Sequence, residues 1–186
     1  MRGDLMSVTV CAVLACSAAG QTRADTADID ALVARKAAIL ETMHDKAGKA
    51  LVRVAQDGSF RDFFLASTDD ERATARERIE QISLAVQARF HVAEMCLIGR
   101  DGAEVARIVD KRVAHDLSPD ETGAIFFTAG FALPPRGVHV SPLYMSVDAD
   151  KWVVGYVTPI DVDGGTPAIL HFEHSLAVYQ DALGRG

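Results

Sequence analysis

The sequence predicts an α+β domain in which helices come first along the chain and an antiparallel sheet follows. Up to about residue 90, apolar residues recur at helical spacing. From Val92 onward the period changes to short apolar runs that resemble strands. Turn signals such as Arg100-Asp101-Gly102 separate these runs, which is typical of hairpins. Five strands with hairpin-type links imply an antiparallel sheet with helices packed on it.

Helices account for the first half of the predicted domain. A long helix from Asp28 to about Val54 has an apolar stripe, and a second helix follows the Thr68–Glu71 capping box and ends near Phe90. The stripe could pack on the domain's own sheet or pair with a second copy, and we expect a mixture in which the early turns form a homodimer. The residues from Gln56 to Ser59 are expected to end the first helix, and a compact apolar group of phenylalanines follows them.

The second half contains the predicted strands, at residues 92–98, 103–109, 138–146, 152–162 and 168–174. A short helix is expected to begin at Ser118-Pro119-Asp120-Glu121, which looks like another capping box, and to carry Phe126. A terminal helix over 175–183 completes the domain. No internal repeat interrupts this order.

Composition narrows the function classes. The 186 residues include 49% hydrophobic residues, enough for a globular core, and 19 basic against 26 acidic side chains give a formal net charge of −7. No run of Lys or Arg is present, so no nucleic-acid partner is expected. No nucleophile elbow, HExxH sequence or phosphate-binding glycine loop occurs. We therefore predict neither catalysis nor a cofactor.

The amino terminus has the layout of a secretory signal peptide over residues 1–24, which leaves 25–186 as a single domain. Val13-Leu14-Ala15-Cys16 also resembles a lipobox, and the alternative is a lipoprotein signal over 1–15 with Cys16 acylated. Either route predicts a periplasmic or extracellular domain, lipid-anchored to a membrane in the second case.

The run from Glu94 to Arg107, EMCLIGRDGAEVAR, resembles the first hairpin of Cache sensor domains, the extracytoplasmic PAS-like family. Later landmarks of that family are matched by Asp116-Leu117-Ser118, by Phe126-Phe127, by 138–144 and by 152–159. The resemblance covers residues 28–176 through the order and spacing of these segments.

This resemblance implies a long amino-terminal helix, a PAS-like five-stranded antiparallel sheet and a small-molecule pocket on one face of the sheet. Family members usually continue into a membrane span and an output domain, whereas this chain stops at Gly186. We therefore predict a sensor domain that binds a carboxylate or an amino-acid-like metabolite and signals through a separate membrane receptor or sensor kinase. A degenerate receptor fragment, or a structural or interaction lipoprotein without a ligand, is the alternative.

Candidate ligand-binding residues combine one cation, several hydroxyls and several rings. Arg107 could hold a carboxylate through its planar guanidinium, with an ordinary outward-facing strand arginine as the alternative. The hydroxyls of Ser141 and Tyr144 could orient a polar ligand, and the aromatic face of the fourth strand could be pocket wall or core. The full set is Arg107, Phe126, His139, Ser141, Tyr144, Trp152, Tyr156 and Thr158.

A metal site is not predicted. On a strand, His171 and Glu173 share one face while His174 points away, which gives fewer ligands than zinc needs. Asp161 and its neighbours lack the other acidic positions of a calcium loop. Cys96 stands in an apolar run and is expected to be a small buried hydrophobe.

Overall fold

The computed structural model describes the backbone of residues 10–185 and the side chains of residues 26–185. The predicted signal segment and the acylation candidate Cys16 lie outside the residues whose side chains are described. The elements, in chain order, are α1 (Val10–Ala55), α2 (Gly58–Leu65), α3 (Asp69–Phe90), β1 (Val92–Gly99), β2 (Glu104–Val109), β3 (Arg112–Val113), α4 (Phe127–Ala132), β4 (His139–Ser146), β5 (Lys151–Val162), β6 (Gly165–Ser175) and α5 (Leu176–Gly184).

The strands form one sheet in the order β3-β2-β1-β6-β5-β4, and every neighbouring pair is antiparallel. The predicted α+β class with a long amino-terminal helix is confirmed, but the described sheet has six strands and not five. The additional strand, β3, has two residues and pairs with β2 across a tight turn at Asp110 and Lys111, which both have positive φ. Two residues are too few to show an alternating pattern, so this strand has no signal in the sequence.

One face of the sheet is covered by the helices. Leu51 of α1, Phe60 of α2 and Ile79 of α3 are fully buried in one apolar cluster with Met95 and Phe172 from the strands. Burial of each large apolar side chain contributes about 1.5–3 kcal/mol to folding. This cluster holds the second half of α1, α2 and α3 on the sheet.

The turns of α1 at residues 29–33 do not reach this cluster. Ile29, Leu32 and Val33 are exposed, whereas Ala47 and Leu51 are buried. The predicted split of the helix into a packed part and a free part therefore agrees with the fold, while the homodimer stays a prediction.

Two predicted capping boxes had different outcomes. At the start of α3, Thr68 Oγ1 accepts from the Glu71 amide at 3.2 Å and Glu71 Oε2 accepts from the Thr68 amide at 3.1 Å, as predicted. The helix predicted at 118–121 is wrong, since α4 begins only at Phe127. The Glu121 amide instead donates to the carbonyl of Gly102 at 2.8 Å, so this segment is held against the β1–β2 turn.

Only part of the opposite sheet face is covered. Gly130 of α4 packs so closely on Val157 and Ile169 that a Cβ there would lie 2.8 Å from Val157 Cγ2. α4 covers that end of the sheet and leaves a cavity over the other. Within the described part of the chain, no helix has the length and apolar character needed to cross a bilayer.

Candidate ligand-binding site

A cavity of about 450 Å³ lies on the sheet face opposite α1 and α3. Strands β1, β2 and β6 form its floor, residues 144–148 form one wall, and residues 118–126 form the other. Its ionisable floor residues are Glu94, Cys96, Glu104, Arg107, His171 and Glu173. A surface groove of about 630 Å³ between α2 and α3 and another of about 580 Å³ beside α1 are larger, but their lining residues do not include such a buried charged set.

Strand alternation and register bring the floor residues together. Glu94 and Cys96 are two apart on β1, so they share a face that Met95 does not. On β6, Glu173 pairs with Glu94 and His171 pairs with Cys96. Residues opposite one another on antiparallel strands have side chains in contact range. The register therefore places two buried carboxylates, a thiol and an imidazole side by side.

A β-bulge adds β2 to the same floor. Residues three apart on a regular strand face opposite sides, yet Glu104 pairs with Ile98 and Arg107 pairs with Cys96. The register shifts between these pairs, which leaves Val105 as the extra residue. Because of this bulge, the Glu104 carboxylate and the Arg107 guanidinium both reach the cavity and form an ion pair at 3.3 Å.

The guanidinium of Arg107 is surrounded by carboxylates of the protein itself. Besides Glu104, it pairs with Asp116 at 3.0 Å and with Asp148 at 3.1 Å, and it donates to the Asp116 carbonyl at 2.8 Å. Arg107 and Glu104 are buried, whereas the two aspartates are partly or largely exposed. Among the nitrogens of Arg107, Nε is buried without a hydrogen-bond partner.

Tyr144 joins the floor to the wall. Its hydroxyl donates to Glu173 Oε1 at 2.5 Å and lies 3.1 Å from His171 Nε2. The Phe126 ring stacks on the His171 imidazole with 3.8 Å between centroids, and so closes this end of the cavity with an apolar roof. Glu173 Oε2 is buried and has no partner.

Burial and mutual repulsion shift the pKa values of the floor residues. Burial, followed by the neighbouring Glu173 and Asp148, raises the pKa of Glu94 to about 8. Burial also raises the pKa of Glu173 above its usual value. It lowers the pKa of His171 to about 3, so that this imidazole is neutral at pH 7. At pH 7 the Glu94 carboxyl group therefore holds a proton, and a cation bound beside it would replace that proton.

Three of the eight predicted ligand-binding residues line this cavity: Arg107, Phe126 and Tyr144. Ser141 lies next to it, where its hydroxyl accepts from the Gly155 amide at 2.8 Å and donates to the Pro142 carbonyl at 2.9 Å. The Ser141 hydroxyl is thus used within the backbone.

The other four predicted residues do not line the cavity. The residue pattern of a strand shows which side chains share a face, but it does not show which face meets the cavity. Tyr156 points to the helix side, where its hydroxyl contacts His44 Nδ1 and the Tyr179 hydroxyl, both at 2.6 Å. Trp152 is exposed at the start of β5. The remaining two lie at one end of the sheet: Thr158 donates to the Gly137 carbonyl, and His139 pairs with Val157.

Sequence reasoning missed Glu94 and Glu104 as site residues and weighed His171 and Glu173 only as zinc ligands. A signal for Glu94 existed: a carboxyl group stands in the apolar run of β1, on the same alternating face as Cys96. The bulge that brings Glu104 to this face has no such local signal.

Comparison with known proteins identifies the fold. The chain superimposes on the sensory domain of the Campylobacter jejuni chemoreceptor Tlp3 with isoleucine bound, with a TM-score of 0.69, 13% identity, and coverage of 83% of this chain and 60% of that one. A Tlp3 structure in complex with L-valine gives a TM-score of 0.69, 13% identity, and coverage of 83% and 61%. The sensor domain of the V. cholerae histidine kinase DctB gives a TM-score of 0.70 and 13% identity, with coverage of 88% of this chain and 60% of that one.

The fold is that of a PAS-like sensor domain. This agrees with the predicted resemblance to Cache sensors. The chain spans about 60% of the length of these sensor-domain structures. No protein-family model and no curated protein matches the sequence.

Proposed function

We propose that this protein is an extracytoplasmic sensor domain whose cavity binds a small ligand carrying a positive charge. The observation that carries the proposal is the excess of buried carboxyl groups over basic groups on the cavity floor. Three buried carboxyl groups, Glu94, Glu104 and Glu173, stand against the one buried guanidinium of Arg107. A buried carboxylate is costly without a counter-charge, so a cation that enters this cavity gains Coulomb energy.

The same geometry favours an amino-acid-like metabolite over a simple carboxylate, the two ligand classes that the sequence suggested. A simple carboxylate would need a free guanidinium, and Arg107 already pairs with three protein carboxylates. An amino-acid-like metabolite brings an ammonium group, which suits the unpartnered Glu173 Oε2. The amino acids bound to Tlp3 belong to this class. Among organic ligands, we favour those with a protonated amino group.

Transmission of the signal is the second part of the proposal. A ligand shifts a conformational equilibrium only by its different affinity for the two states. We expect ligand binding to alter the packing of α1 on the sheet, with readout through a membrane receptor, a sensor kinase or a homodimer. The extracytoplasmic location rests on the predicted signal segment and on the similarity to receptor sensor domains.

A thermal-shift experiment on the full chain tests ligand binding. Amino acids and diamines at millimolar concentration are expected to raise the melting temperature by mass action, and dicarboxylates without an amino group are expected to leave it unchanged. The variant Glu173→Gln should lose most of the shift. Glu77→Gln removes an exposed carboxylate on α3 and is the matched control.

Each alternative has its own result. If only dicarboxylates raise the melting temperature, the proposal of a positively charged ligand is wrong, whereas the proposal of a ligand-binding sensor domain stands. If no organic or inorganic cation changes the melting temperature, the chain is better described as an interaction lipoprotein whose cavity binds nothing.

A further inference from the structure

Two carboxyl groups and a thiol meet on the cavity floor. Cys96 Sγ lies 2.8 Å from Glu104 Oε1 and 3.4 Å from Glu94 Oε1. The three side chains are buried, and their ligand atoms all lie within 4.8 Å of one another. They come from one face of β1 and from the bulged end of β2, so secondary structure fixes their positions.

The thiol cannot satisfy both carboxyl groups by itself. An S–H group has one proton, and the shorter contact assigns it to Glu104. The 3.4 Å contact between Cys96 and Glu94 then needs either a proton on the Glu94 carboxyl group or a cation, since both groups are buried. A cation between the three atoms would satisfy all of them together.

The distances suit a small divalent ion. Metal–sulfur and metal–oxygen bonds of roughly 2.3 and 2.1 Å in a tetrahedral site place sulfur and oxygen ligands roughly 3.6 Å apart. The contact between Cys96 and Glu94 is already close to this value, and the contact between Cys96 and Glu104 requires a shift of less than one ångström. A thiolate among the ligands selects borderline or soft metals over magnesium and calcium.

We propose that Glu94, Cys96 and Glu104 form a binding site for one divalent thiophilic metal ion of the Zn²⁺ class, and that this ion is the cationic ligand of the cavity. The inference rests on the proposed sensor function, whose ligand it specifies. The fourth position is left for Glu173, for water or for a chelating small molecule.

An independent observation supports a cation at this place. Glu173 is 3% exposed and lines the same cavity opposite Glu94, and its Oε2 has no hydrogen-bond partner. An unpaired buried carboxyl oxygen is unfavourable, and a metal ion or a water bound to it would satisfy this atom.

The surroundings provide support and access. Glu104 Oε2 accepts from the Ser118 amide at 2.6 Å and pairs with Arg107, contacts of the kind that orient metal-binding carboxylates. Val147 and Asp148 at the cavity rim are exposed and leave a route from solvent. The protons displaced from the thiol and carboxyl groups pass to water by the same route.

Direct metal binding tests this inference on the purified full chain. We expect about one Zn²⁺ per chain in equilibrium dialysis with elemental analysis. Co²⁺ should give a near-ultraviolet thiolate-to-metal charge-transfer band. Cys96→Ser and Cys96→Ala are expected to abolish the band, and Glu94→Gln should weaken Zn²⁺ binding about 10–100-fold or more.

Two controls isolate the site. The double variant Cys11→Ser/Cys16→Ser removes the other thiols of the chain and should keep the band. Glu121→Gln removes a carboxylate from the same cavity outside the cluster and should keep the Zn²⁺ affinity within about twofold. Thermal unfolding of each variant shows that it is folded.

The possible results separate this inference from the proposed function. Absence of Zn²⁺ binding by the wild type, or unchanged affinity in both Cys96 variants, would overturn the metal site. If amines still raise the melting temperature in that case, the sensor proposal stands with an organic cation as its ligand. If neither Zn²⁺ nor amines bind, both proposals fail.

Discussion

The hydroxyl of Tyr144 on β4 donates a 2.5 Å hydrogen bond to Glu173 on β6, passing over the intervening strand β5. The contact is possible because Gly155 occupies the crossing point on β5, where a Cβ would lie 2.9 Å from the Tyr144 oxygen. Three strands thus share one polar contact in the wall of the cavity. It links the described edge strand β4 to the carboxyl groups of the floor.

Removing this hydroxyl should destabilise the fold. In Tyr144→Phe, Glu173 Oε1 loses the hydrogen bond from the Tyr144 hydroxyl, and we expect a loss of about 1–3 kcal/mol in the free energy of unfolding. Urea denaturation of the wild type, Tyr144→Phe, Glu173→Gln and the double variant forms a complete cycle. A coupling energy of about 0.5–3 kcal/mol is expected for a direct contact, whereas additive effects would contradict it.

Gly155 should tolerate no larger side chain. An alanine Cβ would lie 2.8 Å from His171 Nε2 and 3.1 Å from Ser141 Oγ, so Gly155→Ala forces the wall apart at a cost of about 1–3 kcal/mol. The matched control is Gly58→Ala, where nothing lies within 4 Å of the new atom. Equal urea midpoints for Gly155→Ala and the wild type would show that the wall adapts freely.

Arg107 should be needed mainly because Glu104 is buried. Arg107→Met leaves the Glu104 carboxylate without its counter-charge, and we expect a loss of about 3–5 kcal/mol. Asp116 is exposed and remains solvated in this variant. Arg107→Met/Glu104→Gln should recover part of the loss in chemical denaturation. A double variant as unstable as the sum of both single changes would argue against this account.

His174 should make the fold sensitive to acid. Its ring lies between Phe172, Tyr156 and Tyr179 on the helix side, and both ring nitrogens are buried without a partner. Burial, with repulsion from His44 and His91, lowers the pKa of His174 from 6.5 to about 4.

The unfolded chain therefore binds more protons at this residue than the folded chain between these two pKa values. Stability is full above pH 6.5 and falls as the pH drops towards 4, by up to about 3 kcal/mol. His174→Phe should flatten this part of the stability curve, measured by urea unfolding from pH 4 to 8. His115→Asn, at an exposed position, should follow the wild type, and a wild-type slope in His174→Phe would exclude His174 as its source.

Local features of the fold could be predicted from the sequence. The capping box at Thr68, the β1–β2 turn and the turn at Asp163-Gly164 depend on residues close together in the chain, and the structure has all three. The capping box expected at Ser118 failed, because the amide of Glu121 bonds to Gly102 from another segment. Residue pattern alone could not show that competition.

The sequence by itself determined the class of the domain, the order of its elements apart from the unpredicted α2 and β3, and the resemblance to sensor domains, because helical and strand periods and turn residues act over a few positions. Only the tertiary structure decided which sheet face holds the cavity. The bulge at Val105 brings Glu104 beside Cys96, and the β1–β6 register brings Glu173 beside Glu94. Strand register is set by packing between distant segments, so the charge of the site, and with it the expected ligand, became visible only in the fold.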